Sequence, residues 1–283
     1  MSFSSFGLLS SLLPVLTELK YETPTPIQEQ AIPAILSKKD VLGIAPTGSG
    51  KTAAYVLPLV QKLILNKNQI NNFGLAEAGG RVVKTLILAP TRDLCAQIGE
   101  TIQSLCKNMQ TSIKLATVYG GVSINPQMMH LRGGADIVVA TPGRLLDLLE
   151  HNALKIDQVQ HLVLDEADRL LDMGFTQELN EIFYLLPKKR QNLLFSATFP
   201  DDVNELADFL LKNPASIQVA PVAASQAAIS QKAFLVDIKH RTQLLRHLIE
   251  MNHWQGVLVF VASKHGAEIV AEKLRRARIY AEP

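Results

Sequence analysis

At 283 residues, 47% hydrophobic and 19% charged, the chain is long enough for one large or two ordinary domains and describes a packed protein rather than a disordered one. Its net charge of +2 supplies no general basic field, so any contact with a polyanion must rest on local groups and helix N-termini. Cys95 and Cys106 are the only cysteines and give neither a disulfide framework nor metal-ligand spacing, which fits a reducing, cytoplasmic compartment.

Residues 1–19 carry Leu8, Leu9, Leu12, Leu13, Leu16 and Leu19. That spacing predicts a core-facing amphipathic helix, with Pro14 suited to a first helical turn. The stretch is too interrupted to span a bilayer and has no charged n-region, so neither a membrane segment nor a signal peptide is expected. Asp40-Val41-Leu42-Gly43-Ile44 reads as a buried strand, and a helix is predicted from Lys51 to about Leu65, bent or interrupted near Pro58. Between them runs Ala45-Pro46-Thr47-Gly48-Ser49-Gly50-Lys51-Thr52. A glycine-rich turn between strand and helix aims backbone N–H groups and the helix dipole at phosphates, while Lys51 adds a point charge and Thr52 a hydroxyl for a metal. The generic pattern asks for glycine at position 45, where this chain has Ala45. Asn66 to Gly80, rich in Asn and Gly, reads as a mobile surface loop.

Further strand-length apolar runs follow at 83–88, 114–119, 136–140, 161–164 and 192–195, alternating with helical patterns. This is the signature of a parallel sheet covered by helices on both faces, in which ligands bind outside the carboxyl ends of the strands. Pro90-Thr91-Arg92, Gly120-Gly121, Thr141-Pro142-Gly143-Arg144 and Ser196-Ala197-Thr198 all fall at such ends, hence on one rim. The apolar run His161 to Leu164 ends in Asp165-Glu166-Ala167-Asp168. Carboxylates closing a buried strand can hold magnesium through its waters and polarise an attacking water, so this cluster and the glycine-rich turn read as two halves of one Mg-ATP site.

Residues 219–230 lose charge and period and read as a linker. After it the alternation restarts: strand 232–238, helix 241–252, strand 256–261, helix 264–277, and a further strand beginning at Ile279. Arg275, Arg276 and Arg278 read as a solvated helix face, with added phosphate contacts as the alternative.

With these motifs in order, the sequence resembles the DEAD-box family of ATP-dependent RNA helicases, most closely its bacterial RhlE-like branch. The resemblance covers essentially the whole chain. It includes Tyr21 and Thr25-Pro26-Ile27-Gln28, similar to the family's adenine-reading Q motif, with Phe3 at the spacing of its upstream aromatic. It implies a RecA-like P-loop NTPase domain over 1–218, a linker over 219–230, and an incomplete second RecA-like lobe over 231–283. It implies ATP and Mg²⁺ as cofactors, with Phe3, Tyr21, Gln28 and the turn from Ala45 to Thr52 around the nucleotide. Lys51 would contact the β and γ phosphates, Thr52 and Asp165 would organise Mg²⁺, and Glu166 would orient or deprotonate the hydrolytic water. Asp168 would couple to Ser196 and Thr198, linking nucleotide state to RNA and to lobe closure. Pro90, Thr91, Arg92, Gly121, Thr141, Gly143 and Arg144 would contact the RNA backbone.

Three positions depart from the family pattern: Lys20 where glycine is usual, Pro46 where glutamine is frequent, and Asp93 where glutamate follows the arginine. Val257 to Ser263 is similar to the first motif of the second lobe, and nothing after Pro283 supplies the motifs carrying the arginine finger, a group that contributes about 10³ to 10⁵ in rate in related hydrolases. The expectation is a chain that binds nucleotide and, weakly, RNA, but hydrolyses and unwinds poorly by itself. The alternative is a non-enzymatic, nucleotide-regulated module that binds or anneals RNA.

Overall fold

The structure is a computed structural model and describes residues 2–72, 80–107, 112–220 and 230–283. The chain divides into two compact units, Met1–Val222 and Ala223–Pro283.

The first unit is built on seven strands: β1 (Val41–Ile44), β2 (Thr85–Leu88), β3 (Leu115–Val118), β4 (Ile137–Ala140), β5 (His161–Leu164), β6 (Gln191–Ser196) and β7 (Ala215–Gln218). They form one sheet in the order β3-β4-β2-β5-β6-β1-β7, and every registered pair is parallel. Because side chains alternate across a strand, each strand feeds two cores. Val41, Ile87, Val139, Val163, Leu193 and Phe195 face one layer, packed by α1 (Leu13–Glu18), α2 (Pro26–Leu36), α3 (Lys51–Asn72) and α4 (Arg92–Cys106). Leu42, Leu86, Val138, Leu162 and Leu194 face the other, packed by α5 (Ile124–Leu131), α6 (Pro142–Glu150), α7 (Ala167–Asp172), α8 (Thr176–Leu185) and α9 (Asp201–Leu210). This is the predicted parallel α/β arrangement with helices on both faces.

Several expectations change. The N-terminal segment forms a short 3-10 helix, Phe3–Phe6, and the α-helix begins only at Leu13 with Pro14 in its first turn. Gly7 breaks the path at φ 74, and buried Gln61 of α3 fastens that break by accepting from the Leu9 N–H (2.7 Å) and donating to the Gly7 carbonyl (2.9 Å). α3 runs through Pro58 without interruption and on to Asn72, so the loop expected from Asn66 is helix as far as that residue. Burial explains it: Leu57, Leu59, Val60 and Leu63 are all within 2% of full burial, and their packing outweighs the hydrogen bond that a proline removes. The rest of that loop, 73–79, and 221–229 of the expected linker lie outside the described residues. β7 was not anticipated, since Ile217 is its only buried residue and an edge strand carries little apolar signal.

The N-terminal end of the sheet carries a buried histidine. His161 opens β5 with no hydrogen-bond partner at Nδ1. Burial, aided by the nearby Lys62 and Lys38 cations, pushes its pKa down to about 3 against a Lys84 backbone bond that raises it. A folded pKa below the unfolded one means that stability from the neutral ring is complete above about pH 6.5 and is lost as pH falls from there toward 3, at up to about 1.4 kcal/mol per pH unit. His161→Gln is therefore expected to flatten the acid side of the Tm against pH curve between pH 6 and 4. Parallel curves for the two proteins would contradict this.

In the second unit, α10 (Arg241–Met251) and α11 (Lys264–Arg276) match the predicted helices, but none of the expected strands forms among the described residues. A strand exists only through its ladder, and residues 256–261 find no partner there. Their exposures nonetheless alternate, 41, 80, 38, 88 and 40% from Val257 to Val261, with Val257, Val259 and Val261 lining a groove beside Ala271 and Leu274 of α11.

Candidate functional site

Strand order sorts the polar motifs into two groups. The central strands β5, β6 and β1 are neighbours and deliver Asp165–Asp168, Ser196–Thr198 and the turn 45–52 to one end of the sheet. The strands β3, β4 and β2 are also neighbours and deliver Gly120-Gly121, Thr141–Arg144 and Pro90–Arg92 to the same end, joined to the first group by the β2 and β5 pairing.

The turn after β1 needs glycine only where its backbone is left-handed, at Gly48 (φ 77) and Gly50 (φ 91). Ala45 is outside that region, 1% exposed, and donates its N–H to the Ser196 carbonyl at 3.1 Å, so alanine satisfies the position where the generic pattern places glycine. A side chain at Gly50 would collide with Gln28. Gln28 is 2% exposed; its Oε1 accepts from the Thr25 N–H (3.0 Å) and its Nε2 donates to the Gly50 carbonyl (3.2 Å), fastening α2 to the turn. Lys51 Nζ donates to the carbonyls of Ala45 (2.5 Å) and Pro46 (3.3 Å), and Thr47 and Gly48 lie open at the tip. Ser49 Oγ, in the turn itself, is buried with no hydrogen-bond partner. An orphaned buried hydroxyl of this kind costs about 1–3 kcal/mol, and a phosphate oxygen would satisfy it.

Across from the turn, Asp165 is 2% exposed; its Oδ2 accepts from the Tyr55 hydroxyl (2.7 Å) and its Oδ1 from the Glu166 N–H (3.0 Å). Burial pushes its pKa up to about 6, against the lowering effects of the Tyr55 bond and Lys51. Glu166 adopts φ 50, ψ 56, a left-handed conformation that costs a non-glycine residue about 1 kcal/mol or more, and its Oε2 accepts from Arg169 at 2.9 Å. Asp168 Oδ2 accepts from both the backbone N–H (3.0 Å) and the hydroxyl (2.7 Å) of Thr198, while the Asp168 N–H donates to Ser196 Oγ (3.3 Å). Despite burial, these bonds hold the Asp168 pKa below the usual carboxylate range.

On the far side of α2, Phe3 is 4% exposed and its ring meets Phe6 and Tyr21 edge-on at 5.9 and 6.3 Å. It therefore supports Tyr21 rather than offering an open face. Lys20 stands at φ 61, which accounts for the family's preference for glycine there.

On the β3, β4 and β2 side, α4 and α6 open toward the rim with Thr91 and Thr141 at their N-caps, an arrangement that favours anions. Thr91, Arg92, Gly121 and Gly143 are accessible, whereas Pro90, Thr141 and Arg144 are buried. Thr141 Oγ1 accepts from the Gly120 N–H (3.3 Å); Arg144 donates from Nη2 to the Val122 carbonyl (2.8 Å) and from Nε to Asp147 (3.3 Å). Only its buried Nη1 has no partner. These two side chains shape the Gly120–Val122 turn as much as they face outward. Asp93 is exposed and pairs with the neighbouring Arg92 at 3.4 Å, so aspartate serves at the position where the family has glutamate.

Sequence reasoning missed Tyr55. It lies three residues after Thr52 and four after Lys51, the helical spacing that places side chains on one face, but the run Ala53 to Val60 reads simply as core.

Residues 25–206 match the family described as DEAD/DEAH box helicase. The chain is similar to the DEAD-box ATP-dependent RNA helicase RhpA of Helicobacter pylori (strain B128), with 37% identity over 267 residues that cover 94% of this chain and 51% of that protein. It is 36% identical over 275 residues to the ATP-dependent RNA helicase DeaD of Escherichia coli (strain K12), covering 97% of this chain and 42% of that one. Among solved structures it resembles a DEAD box protein from the hyperthermophile Methanococcus jannaschii, with a TM-score of 0.67, 33% identity, and coverage of 98% and 70% of the two chains. The chain spans about half the length of the curated relatives it matches.

Proposed function

The chain belongs to the DEAD/DEAH box helicase family, and from that premise we propose that it is the nucleotide-binding part of an ATP-dependent RNA helicase. Mg-ATP occupies the ends of β5, β6 and β1, and RNA backbone lies along the ends of β3, β4 and β2. The supporting observation is the strand order itself: the paired strands β2 and β4, which lead into the two helix N-termini of an anion-favouring rim, lie beside β5, which ends in the carboxylate cluster, so the rim and the phosphate turn share one end of the sheet. In this reading residues 1–218 are the ATP-binding domain, 219–230 a linker and 231–283 the start of a second lobe, and the protein works in the cytoplasm. No helix among the described residues is long and apolar enough to cross a membrane.

Gln28 and Tyr21 read the adenine, with Phe3 behind them, and Lys51 leaves its carbonyl partners for the β and γ phosphates. Among the described residues no group of three or more His, Cys, Asp or Glu side chains is placed to hold a metal ion. Thr52 and Asp165 offer two hard oxygen donors, which suits Mg²⁺ completed by nucleotide phosphates and water. An ion held there would supply positive charge against the phosphate being transferred. Glu166, held in its left-handed backbone and ion-paired to Arg169, orients the attacking water and accepts its proton. Asp168 passes any movement on β5 to Thr198 and Ser196, so nucleotide state and the rim are mechanically joined. Thr91, Arg92, Gly121, Gly143 and Arg144 hold phosphates without reading bases, and recognition through 2′-hydroxyls favours RNA. Duplex unwinding belongs to a form with both lobes complete.

The test is equilibrium binding of a fluorescent ATP analogue with and without Mg²⁺, followed by steady-state hydrolysis with single-stranded RNA or DNA. Expected are Mg-dependent binding and slow turnover raised by RNA and not by DNA. Equal stimulation by DNA would overturn the RNA assignment, and absence of nucleotide binding would overturn the site.

A further inference from the structure

Tyr55 is fully buried on α3, one turn beyond Lys51 and Thr52. A buried phenol must find a hydrogen-bond partner, and this one donates to Asp165 Oδ2 at 2.7 Å. Its ring is held from the other side by Phe195, 5.2 Å away between centroids, and Phe195 directly precedes Ser196 on β6. The helix that carries the phosphate turn is thus tied by one side chain to the carboxylate at the end of β5. Asp165 has its second oxygen engaged by the Glu166 N–H at 3.0 Å, so the plane of the carboxylate is set by two donors on different elements. Phenylalanine would fill the same volume and keep the contact with Phe195. Only the hydroxyl requires tyrosine, and with it go the hold on Asp165 and a second bond to the Thr52 side chain.

We propose that Tyr55 is a positioning residue: its hydroxyl orients Asp165 so that the remaining carboxylate lone pairs point at the magnesium of a bound nucleotide. The inference rests on the nucleotide site proposed above and assigns a role to a side chain outside its recognised motifs. It separates two contributions to binding. Phosphate contacts through the backbone N–H groups of residues 48–52 and through Lys51 do not pass through Tyr55, whereas the metal contact does.

The experiment is a Mg²⁺ titration of fluorescent ATP-analogue binding to the full chain, comparing the wild type with Tyr55→Phe, Asp165→Asn and the double variant. In Tyr55→Phe, the analogue's affinity without metal is expected to stay within about twofold, and the Mg²⁺ concentration giving half of the affinity gain is expected to rise about tenfold, the effect of losing one hydrogen bond to a charged group. In the Asp165→Asn background the same substitution is expected to change nothing further, because the two residues act as one unit. Thermal unfolding of the same four proteins gives a second cycle; should Tyr55→Phe alone fail to fold, the double variant, which removes the hydroxyl together with the buried charge it faces, is expected to fold and to match Asp165→Asn in its metal response. Identical Mg²⁺ midpoints for wild type and Tyr55→Phe would overturn the inference, as would an equal loss in both backgrounds. A wild-type chain that binds the analogue with no dependence on Mg²⁺ would instead overturn the reading of the site, and this inference with it.

Discussion

Lys51→Ala is expected to lower the affinity of the chain for Mg-ATP about a hundredfold, while the thermal midpoint of the protein without nucleotide stays level or rises. The affinity loss follows from two charge-assisted hydrogen bonds to phosphate, each worth about 1.5 kcal/mol or more. The absence of a stability loss follows from the surroundings of the ammonium. Lys51 is 7% exposed, its partners are two neutral carbonyls, and burial lowers its pKa even though Asp165, Glu166 and Asp168 all raise it. A lysine whose folded pKa lies below its unfolded value binds its proton less firmly when folded, so its charge costs stability at neutral pH, a cost that disappears as pH rises toward 10.5. Alanine removes the cost along with the function. Calorimetric titration with Mg-ATP and a thermal melt check the two halves separately, and unchanged affinity would remove Lys51 from the site.

Gly43→Ala is expected to destabilise the first unit by about 3 kcal/mol, lowering its midpoint by roughly 10 °C. Gly43 has no unusual backbone angle; what it needs is space. A Cβ there would stand 2.5 Å from Cδ1 and Cε1 of Phe195, itself 0% exposed on the neighbouring strand β6. Phe195 packs on Tyr55, 5.2 Å away between ring centroids, so a displaced ring disturbs the Tyr55 hold on Asp165 and the Mg²⁺ dependence of nucleotide binding is expected to weaken along with stability. Gly48→Ala makes the contrast. Its φ of 77 strains a side chain, but nothing lies within 4 Å, and the cost is expected near 1 kcal/mol. A melt of both variants decides whether close approach in β1 or backbone angle in the turn after it matters more. Equal midpoints would place the Phe195 contact among the tolerated ones.

Much of the first unit was legible because parallel α/β folds write themselves in apolar runs. Leu162-Val163-Leu164 is buried on both faces, so it must be a central strand, and the carboxylates that close it must reach the rim. Elements that depend on company were less legible. Pro58 suggests a break when read locally, yet it sits in a helix whose neighbours are almost wholly buried. Residues 256–261 read as a strand and alternate like one, but lack a ladder among the described residues. Lys20 looks like a plain departure from a pattern until its φ of 61 shows what the usual glycine is for.

Residue order alone determined the fold class, the phosphate turn, the carboxylate cluster and the family, because each is written in contiguous residues whose chemistry needs no distant partner. Only the tertiary structure decided which groups share a face, a contact and a charge environment. It brought Tyr55 onto Asp165 across 110 residues, locked Gln28 against Gly50, buried Arg144 beneath the Gly120–Val122 turn and raised the Asp165 pKa to about 6. Burial and hydrogen bonding depend on distance in space, and a parallel sheet makes neighbours of strands far apart in the chain.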